Sequence, residues 1–212
     1  MWNNSGHRQR LKEASFEFRT DFIRFVNLLK NDATFLLDES ITKLQNIRKI
    51  QDEMDRSNWN TRPSSERQER EAVLRSDERM VASWLGLGNE TMEMLKNMTA
   101  LIPEPFLEPE VVNLLAMMLD FNLDKLVGPE CSELKVKEPE KYHFQPKKLL
   151  RDLIQVYLNL DNRSMIQAVA ADERSYRRSH FSRAASILRK LSMISEVKIE
   201  FLNTIGFCFR MI

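Results

Sequence analysis

The chain has 212 residues, of which 42% are apolar and 30% charged, with a net charge of +1 at pH 7. That length can bury a sizeable core, and the near-zero charge argues against the basic bias of a nucleic-acid or anionic-membrane binder. Five glycines argue against a turn-rich all-β fold, two cysteines (Cys131 and Cys208) argue against a disulfide framework, and no apolar run approaches the length that crosses a bilayer.

Residues 1–14 are polar and are expected to fray, with no secretory leader pattern. A helix is expected from Ser15 to Lys30. Phe18, Phe22, Phe25 and Leu29 mark one face, and Phe16, Ile23, Val26 and Leu28 widen it. So apolar a helix needs partners on two sides. Asn31 or Asp32 is expected to cap a second helix running to Met54, with Leu37, Ile41, Leu44, Ile47 and Ile50 inward. Ser57 to Ser64, centred on Pro63, breaks it. A long helix follows, highly charged over Glu66 to Arg79 and apolar from Met80 to Met98. The charged part reads as a solvated surface. Gly86 and Gly88 weaken the helix and mark a kink or a close helix contact.

Glu108-Pro109-Glu110 opens the next helix, because proline at a first helical position loses no needed hydrogen bond. Val111, Val112, Leu114, Leu115, Met118, Leu119, Leu123 and Leu126 predict burial over most of its circumference, with Asn113, Asp120 and Asp124 as a polar edge. Gly128-Pro129 stops it. A connector from Gly128 to Gln145 leads to a helix opened by Pro146, with Leu149, Leu150, Leu153, Ile154, Tyr157 and Leu158 apolar. Ser164-Met165-Ile166-Gln167 resembles a capping box for a short helix to Ala171. Another helix is expected over Ser179 to Ser192 with Ala184, Ile187, Leu188 and Leu191 inward, and a last one from near Ser195. The pattern is all-α, without an exact repeat.

Candidate chemistry is sparse. His7, His143 and His180 are too dispersed for a helical metal pair, and Cys131 and Cys208 form no C-x-x-C. No glycine-rich phosphate loop occurs, so no catalytic, cofactor-binding or metal residue is assigned. Lys135 and Lys137 stand near Cys131 and could stabilise a thiolate, but a packed loop cysteine is the preferred reading. The connector from Cys131 to Lys148 alternates lysine with glutamate around Tyr142 and Phe144. It reads either as a partner-binding loop or as a strap pinned by Leu134, Val136, Tyr142 and Phe144, and pinning is preferred. Met92, Met94, Met98, Met117 and Met118 offer an adaptable face, with plain core preferred.

Three stretches carry a resemblance. The first is Leu119-Asp120-Phe121-Asn122-Leu123 with Leu126-Val127-Gly128-Pro129-Glu130-Cys131. The second runs from Leu134-Lys135-Val136-Lys137-Glu138-Pro139-Glu140-Lys141-Tyr142 to Leu150. The third pairs Asn31-Asp32-Ala33-Thr34-Phe35 upstream with Ala171-Asp172-Glu173-Arg174-Ser175-Tyr176 downstream. In order and spacing, from Phe16 to Leu202, they resemble the core of the U-box ubiquitin conjugation factors, the chain-elongating E-four ligases.

The resemblance implies an irregular armadillo-like stack of antiparallel helices, with residues 15–205 as the C-terminal part of that core. In the family a long helical array precedes this region and is not in this sequence, so part of the Ser15–Lys30 helix is expected to stay exposed as a sticky patch. It implies a scaffold for ubiquitin chain elongation and proteasomal degradation, in the cytoplasm and nucleus. The implied partners are the AAA unfoldase valosin-containing protein, proteasome shuttle proteins and ubiquitylated substrates, with no nucleic acid and no membrane. In the family a U-box holds the charged conjugating enzyme, and no ligase residue performs acid–base or nucleophilic chemistry. Residues 206–212 form an apolar tail outside the resemblance, and no U-box follows in this sequence. The expectation is therefore a fragment unable to elongate chains alone. The alternative is a non-catalytic helical adaptor for ubiquitin-pathway partners. His143 stands where the family often has glycine, so a positive φ there would be under tension with the side chain.

Overall fold

A computed structural model describes residues 4–195. Among these residues there are seven α-helices and no strand: α1 (Ser5–Glu17), α2 (Arg19–Met54), α3 (Ser64–Leu101), α4 (Pro109–Val127), α5 (Pro146–Asn159), α6 (Arg163–Ala171) and α7 (Arg178–Lys190). The all-α expectation holds. The helix expected after Ser195 lies outside the described residues.

The start of the chain departs from the expectation. Residues 5–17 are helical rather than frayed, because the Asn4 side chain accepts the His7 N–H at 3.1 Å and caps the first turn. Phe18, at φ −113° and ψ 45°, interrupts the helix for one residue. There is then no break at Asn31-Asp32. Both residues are exposed in the middle of α2. Phe22, Val26, Leu29, Ala33, Leu36, Ser40, Leu44, Ile47 and Gln51 form one unbroken row of steps of three and four, all buried. A cap signal does not end a helix whose buried face continues in phase across it.

The break after Met54 falls where proline places it, and α3 begins at Ser64. α2 and α3 form an antiparallel hairpin: Glu53 pairs with Arg70 and Lys43 with Asp77, while Phe35 meets Trp84 edge-on at 5.9 Å. The charged segment of α3 is thus not merely solvated. Arg70 and Asp77 turn onto α2, and Asp77 is almost fully buried between Lys43 and Asn46. Gly88 marks a close helix contact, as one of its two readings anticipated. A Cβ there would lie 3.5 Å from Leu36 Cβ and 3.7 Å from Leu37 Cδ2.

α4 is the hub. Proline occupies its first turn, and Val111, Leu115, Ala116 and Leu119 are completely buried. Each large apolar side chain so buried stabilises the fold by about 1.5–3 kcal/mol. α4 packs against α2, α5, α6 and α7. It runs parallel to α2, since Arg19 reaches Glu108 near its start and Gln45 reaches Glu133 beyond its end. Its polar edge is not all in solvent: Asn113 is exposed and Asp124 half-buried, whereas Asp120 is buried, as is Asn122 outside that edge. Leu114, expected inside, is half exposed.

The remaining helices lock onto this frame. Lys96 of α3 meets Asp152 of α5 at 3.2 Å. Asn159 donates to the Lys96 carbonyl at 2.8 Å and to the Thr99 hydroxyl at 3.0 Å. α6 is capped by Asn162, whose Oδ1 accepts the Ser164 N–H at 2.9 Å, so Ser164 lies inside the helix rather than at its cap. α7 places Ala184 and Leu188 inward as expected, but Leu191 falls one residue past its end and is exposed.

Two glycines on this frame give opposite predictions. Gly88→Ala fits the available space and removes a helix-weakening residue, so it should raise stability by about 0.5–1 kcal/mol. At Gly128 a Cβ would stand 2.3 Å from the Asp124 carbonyl oxygen. Gly128→Ala should therefore destabilise by about 1–3 kcal/mol, as overpacking does. Urea denaturation of the two variants checks both signs.

Candidate functional site

The histidines do not converge. His7 is exposed on α1, His143 sits in the connector, and His180 is buried on α7, with Nε2 3.5 Å from Asp124. Burial holds the His180 imidazole below its ordinary value, against the pull of Asp124. Among the described residues no group of three or more His, Cys, Asp or Glu is placed to hold a metal ion. Cys131 is half buried, with the Arg183 guanidinium 3.8 Å from Sγ. Of the two lysines expected beside it, Lys137 reaches Asp55 instead, at 2.6 Å.

The connector is a strap bolted along the α2–α3 hairpin. Short 3-10 turns cover Pro129–Leu134 and Pro139–Tyr142. Leu134, Val136, Tyr142 and Phe144 are buried with Ile41, Leu44, Ile47, Val81 and Leu85. Gln51 of α2 accepts the Lys137 N–H at 2.8 Å and donates to the Tyr142 hydroxyl at 3.4 Å. Tyr142 in turn donates to Glu78 of α3 at 2.7 Å, and Lys141 pairs with the same carboxylate at 2.8 Å. Burial, then the Glu78 carboxylate, pushes the Tyr142 phenol well above its ordinary value, so it stays a donor at any ordinary pH. Arg48 donates to the Lys135 carbonyl and Asn89 to that of His143, both at 2.9 Å. This network, with Glu78 drawn from the supposedly solvated segment, is the feature that sequence reasoning missed. No local sequence pattern links its members, which lie far apart along the chain.

Two strap residues hold left-handed backbone. Glu138 has φ 50° and His143 has φ 55°. The positive φ that the glycine comparison raised is therefore present at His143, and histidine adopts it. The Asn89 hydrogen bond and the flanking Tyr142 and Phe144 anchors hold the turn in a left-handed conformation that is uncommon outside glycine and that histidine, like Asn and Asp, adopts more readily than most side chains.

The exposed surface is the other notable feature. Phe16, Phe18, Phe25, Leu28 and Phe35 are all exposed, Phe16 by 67% and Leu28 by 62%, and Leu87 of α3 is exposed too. Phe25, Leu28 and Phe35 follow one another at steps of three and seven, which keeps them on one face of α2, and Phe18 stands at its N-terminal end. The expected sticky patch is there. The methionine face is not: Met92, Met98 and Met118 are core, while Met94 and Met117 are partly buried.

A set of packed helices, a strap pinned on one side and an apolar stripe on the other define a helical scaffold. A family model described as "Ubiquitin elongating factor core" matches residues 1–207. The chain belongs to that family. It is 41% identical over 201 residues to the fission yeast (Schizosaccharomyces pombe) protein named ubiquitin conjugation factor E4, covering 94% of this chain and 20% of that protein. It is 44% identical over 183 residues to the E4 ubiquitin-protein ligase UFD2 of Saccharomyces cerevisiae, covering 84% and 19%. With the probable ubiquitin conjugation factor E4 of Arabidopsis thaliana it shares 36% identity over 209 residues, covering 96% and 20%. The chain thus spans about a fifth of the length of these relatives.

Two outcomes follow from this geometry. Tyr142→Phe removes one hydroxyl from the Gln51–Glu78 bridge and should cost about 1–2 kcal/mol in urea denaturation. Gln51→Leu should additionally speed proteolytic cleavage within residues 131–145, read by mass spectrometry. Separately, a dye that fluoresces on apolar surfaces should bind the purified chain. The double substitution Leu28→Glu, Phe35→Glu should remove most of that signal without changing the helical circular dichroism.

Proposed function

We propose that this chain is core scaffold of a ubiquitin chain-elongating ligase, acting in polyubiquitination and ubiquitin-dependent proteasomal degradation. The match of residues 1–207 to the elongating-factor core carries this reading. The scaffold's contribution is positional: it holds partner surfaces at fixed separation, so that thioester and acceptor lysine meet without the protein supplying a reacting group. The connector supports such rigidity, since it is tied to both α2 and α3 at several points.

In this proposal the helices form part of a longer armadillo-like array. The exposed stripe Phe18–Phe25–Leu28–Phe35 is the surface that further helices of such an array would cover. The proposed partners are ubiquitylated substrates, proteasome shuttle proteins and the AAA unfoldase valosin-containing protein, in the cytoplasm and nucleus. The low cysteine content suits those reducing compartments.

A second reading is a non-catalytic adaptor that binds ubiquitin-pathway proteins through the same stripe. The apolar exposure on α2 favours it. Under both readings these 212 residues do not elongate chains alone, because the conjugating enzyme docks on a U-box. The test is a reconstituted reaction with activating enzyme, conjugating enzyme, ubiquitin and a monoubiquitylated substrate. Adding the chain should leave the rate of chain growth unchanged, and acceleration would contradict the proposal. Competition separates the two readings. An adaptor should slow the reaction of a full-length ligase when in excess, and a piece of the scaffold alone should not.

A further inference from the structure

One row of α4 stays partly uncovered. Leu114, Met117 and Phe121 follow at steps of three and four, Leu114 exposed and the other two half-buried. They line a cleft of about 610 Å³ together with Lys30, Asn31, Thr34 and Asp38 of α2 and Asp172, Arg174 and Ser175 of the turn after α6. A second cleft shares Met117, Asp172 and Arg174 with it and includes Ala168 and Ala171 of α6. Cavities of this size commonly hold a ligand that combines apolar contact with a few polar ones. None of the exposed aromatic residues of α2 lines the first cleft.

The charges in this cleft are not balanced one against another. Lys30 is only 5% exposed, yet its ammonium makes no hydrogen bond or ion pair among the described residues. Burial holds it below the ordinary lysine value. The guanidinium of Arg174, which is exposed, has no carboxylate partner either. The other charged residues are engaged elsewhere. Lys125 pairs with Glu130 at 2.6 Å, and Asp124 lies 3.5 Å from His180. Asp172 Oδ1 accepts the backbone N–H groups of Arg174 at 3.2 Å and Ser175 at 3.4 Å. Asp38 Oδ1 and Asp172 Oδ2 are buried without a donor, so neither meets Lys30. A buried ammonium without a counter-ion is costly, and an anion arriving from outside relieves that cost.

We propose that this cleft docks a partner's polypeptide segment in which a glutamate or aspartate stands beside a large aliphatic side chain. The carboxylate pairs with Lys30 and Arg174, and its aliphatic neighbour lies on Leu114, Met117 and Phe121. A carboxylate suits the site better than a phosphate, because Asp38, Asp124 and Asp172 line the same cleft and repel a dianion more strongly. The cleft also joins stretches that are far apart in the chain. Asn31 and Thr34 come from the upstream stretch singled out in the sequence, Phe121 from the central one, and Asp172, Arg174 and Ser175 from the downstream one. Neither the Lys30 ammonium nor the Arg174 guanidinium is used by the packing of the helices or by the strap. The inference goes beyond the scaffold reading, since it rests on an uncompensated cation rather than on ubiquitin transfer.

Methionine-methyl NMR of the full chain tests it, with a short end-blocked peptide carrying one glutamate flanked by leucines as the probe. The Met117 and Met118 signals should shift saturably, while those of Met92 and Met98, which lie outside the cleft, should stay in place. Counterpart peptides with glutamine, lysine or phosphoserine in place of the glutamate should bind more weakly. Lys30→Met keeps the apolar stem and removes the buried charge. It should weaken binding by about tenfold while holding or raising the urea midpoint, a combination that a lysine with a merely structural role would not give. Arg174→Gln, at an exposed position where folding is not at stake, should weaken binding by about threefold. The proposal is overturned if the glutamate peptide leaves Met117 and Met118 unmoved, if any counterpart peptide binds as tightly, or if Lys30→Met binds as well as the parent.

Discussion

The burial of α4 on nearly every side constrains the rest of the structure. A helix with apolar residues around most of its circumference cannot be satisfied by one neighbour. α2, α5, α6 and α7 all pack against it. The helix has to begin cleanly and stop cleanly to fit this slot. Pro109 begins it without a lost hydrogen bond, and Gly128 ends it by leaving the space that the Asp124 carbonyl fills. The polar residues that α4 does bury are each tied to a specific partner: Asn122 donates to the Met118 carbonyl at 2.8 Å, and Asp120 meets Tyr157.

From that hub the chain builds rigidity in two directions. The α2–α3 hairpin is closed by buried or half-buried ion pairs, Lys43–Asp77 and Arg70–Glu53, with distances of 2.8 and 2.9 Å. The strap between α4 and α5 then crosses the hairpin and hydrogen-bonds to both of its helices. On the far side Asp152 draws Lys96, Lys148 and Arg151 together. Burial alone would raise that carboxyl, but its hydrogen bonds to Lys148 and Arg151 and the nearby lysine charges outweigh burial and hold it below the ordinary value. Rigidity of this kind is what a positioning protein needs, because effective concentration depends on fixed geometry.

Helix type and rough position were legible wherever proline, glycine and helical spacing agreed, as at Pro109, Gly128, Pro146 and the break before Ser64. Caps were less legible. Asn31-Asp32 and Ser164 carry the right side chains, but the buried row of α2 runs through the first, and Asn162 pre-empts the second. Asn4 went unnoticed because polar residues around it gave α1 no apolar row to announce it; Ser15 is the residue it buries. The aromatic stripe was legible as excess apolarity on α2. The Gln51–Tyr142–Glu78 bridge was not, since its members are 91 and 64 residues apart and no local pattern links them. Asp120 looked like part of a polar edge for the same reason: its partner Tyr157 comes from a later element.

The central claim is that α4, the hairpin and the strap form one preorganised unit. Native-state hydrogen exchange on the isolated chain tests it most directly. The amides of Leu115, Leu119 and Leu123 in α4 should open only with global unfolding, and the strap amides of Lys137 and Phe144 should be protected to a similar degree. Strap amides that exchange as fast as those of an unstructured peptide, while α4 stays protected, would contradict it.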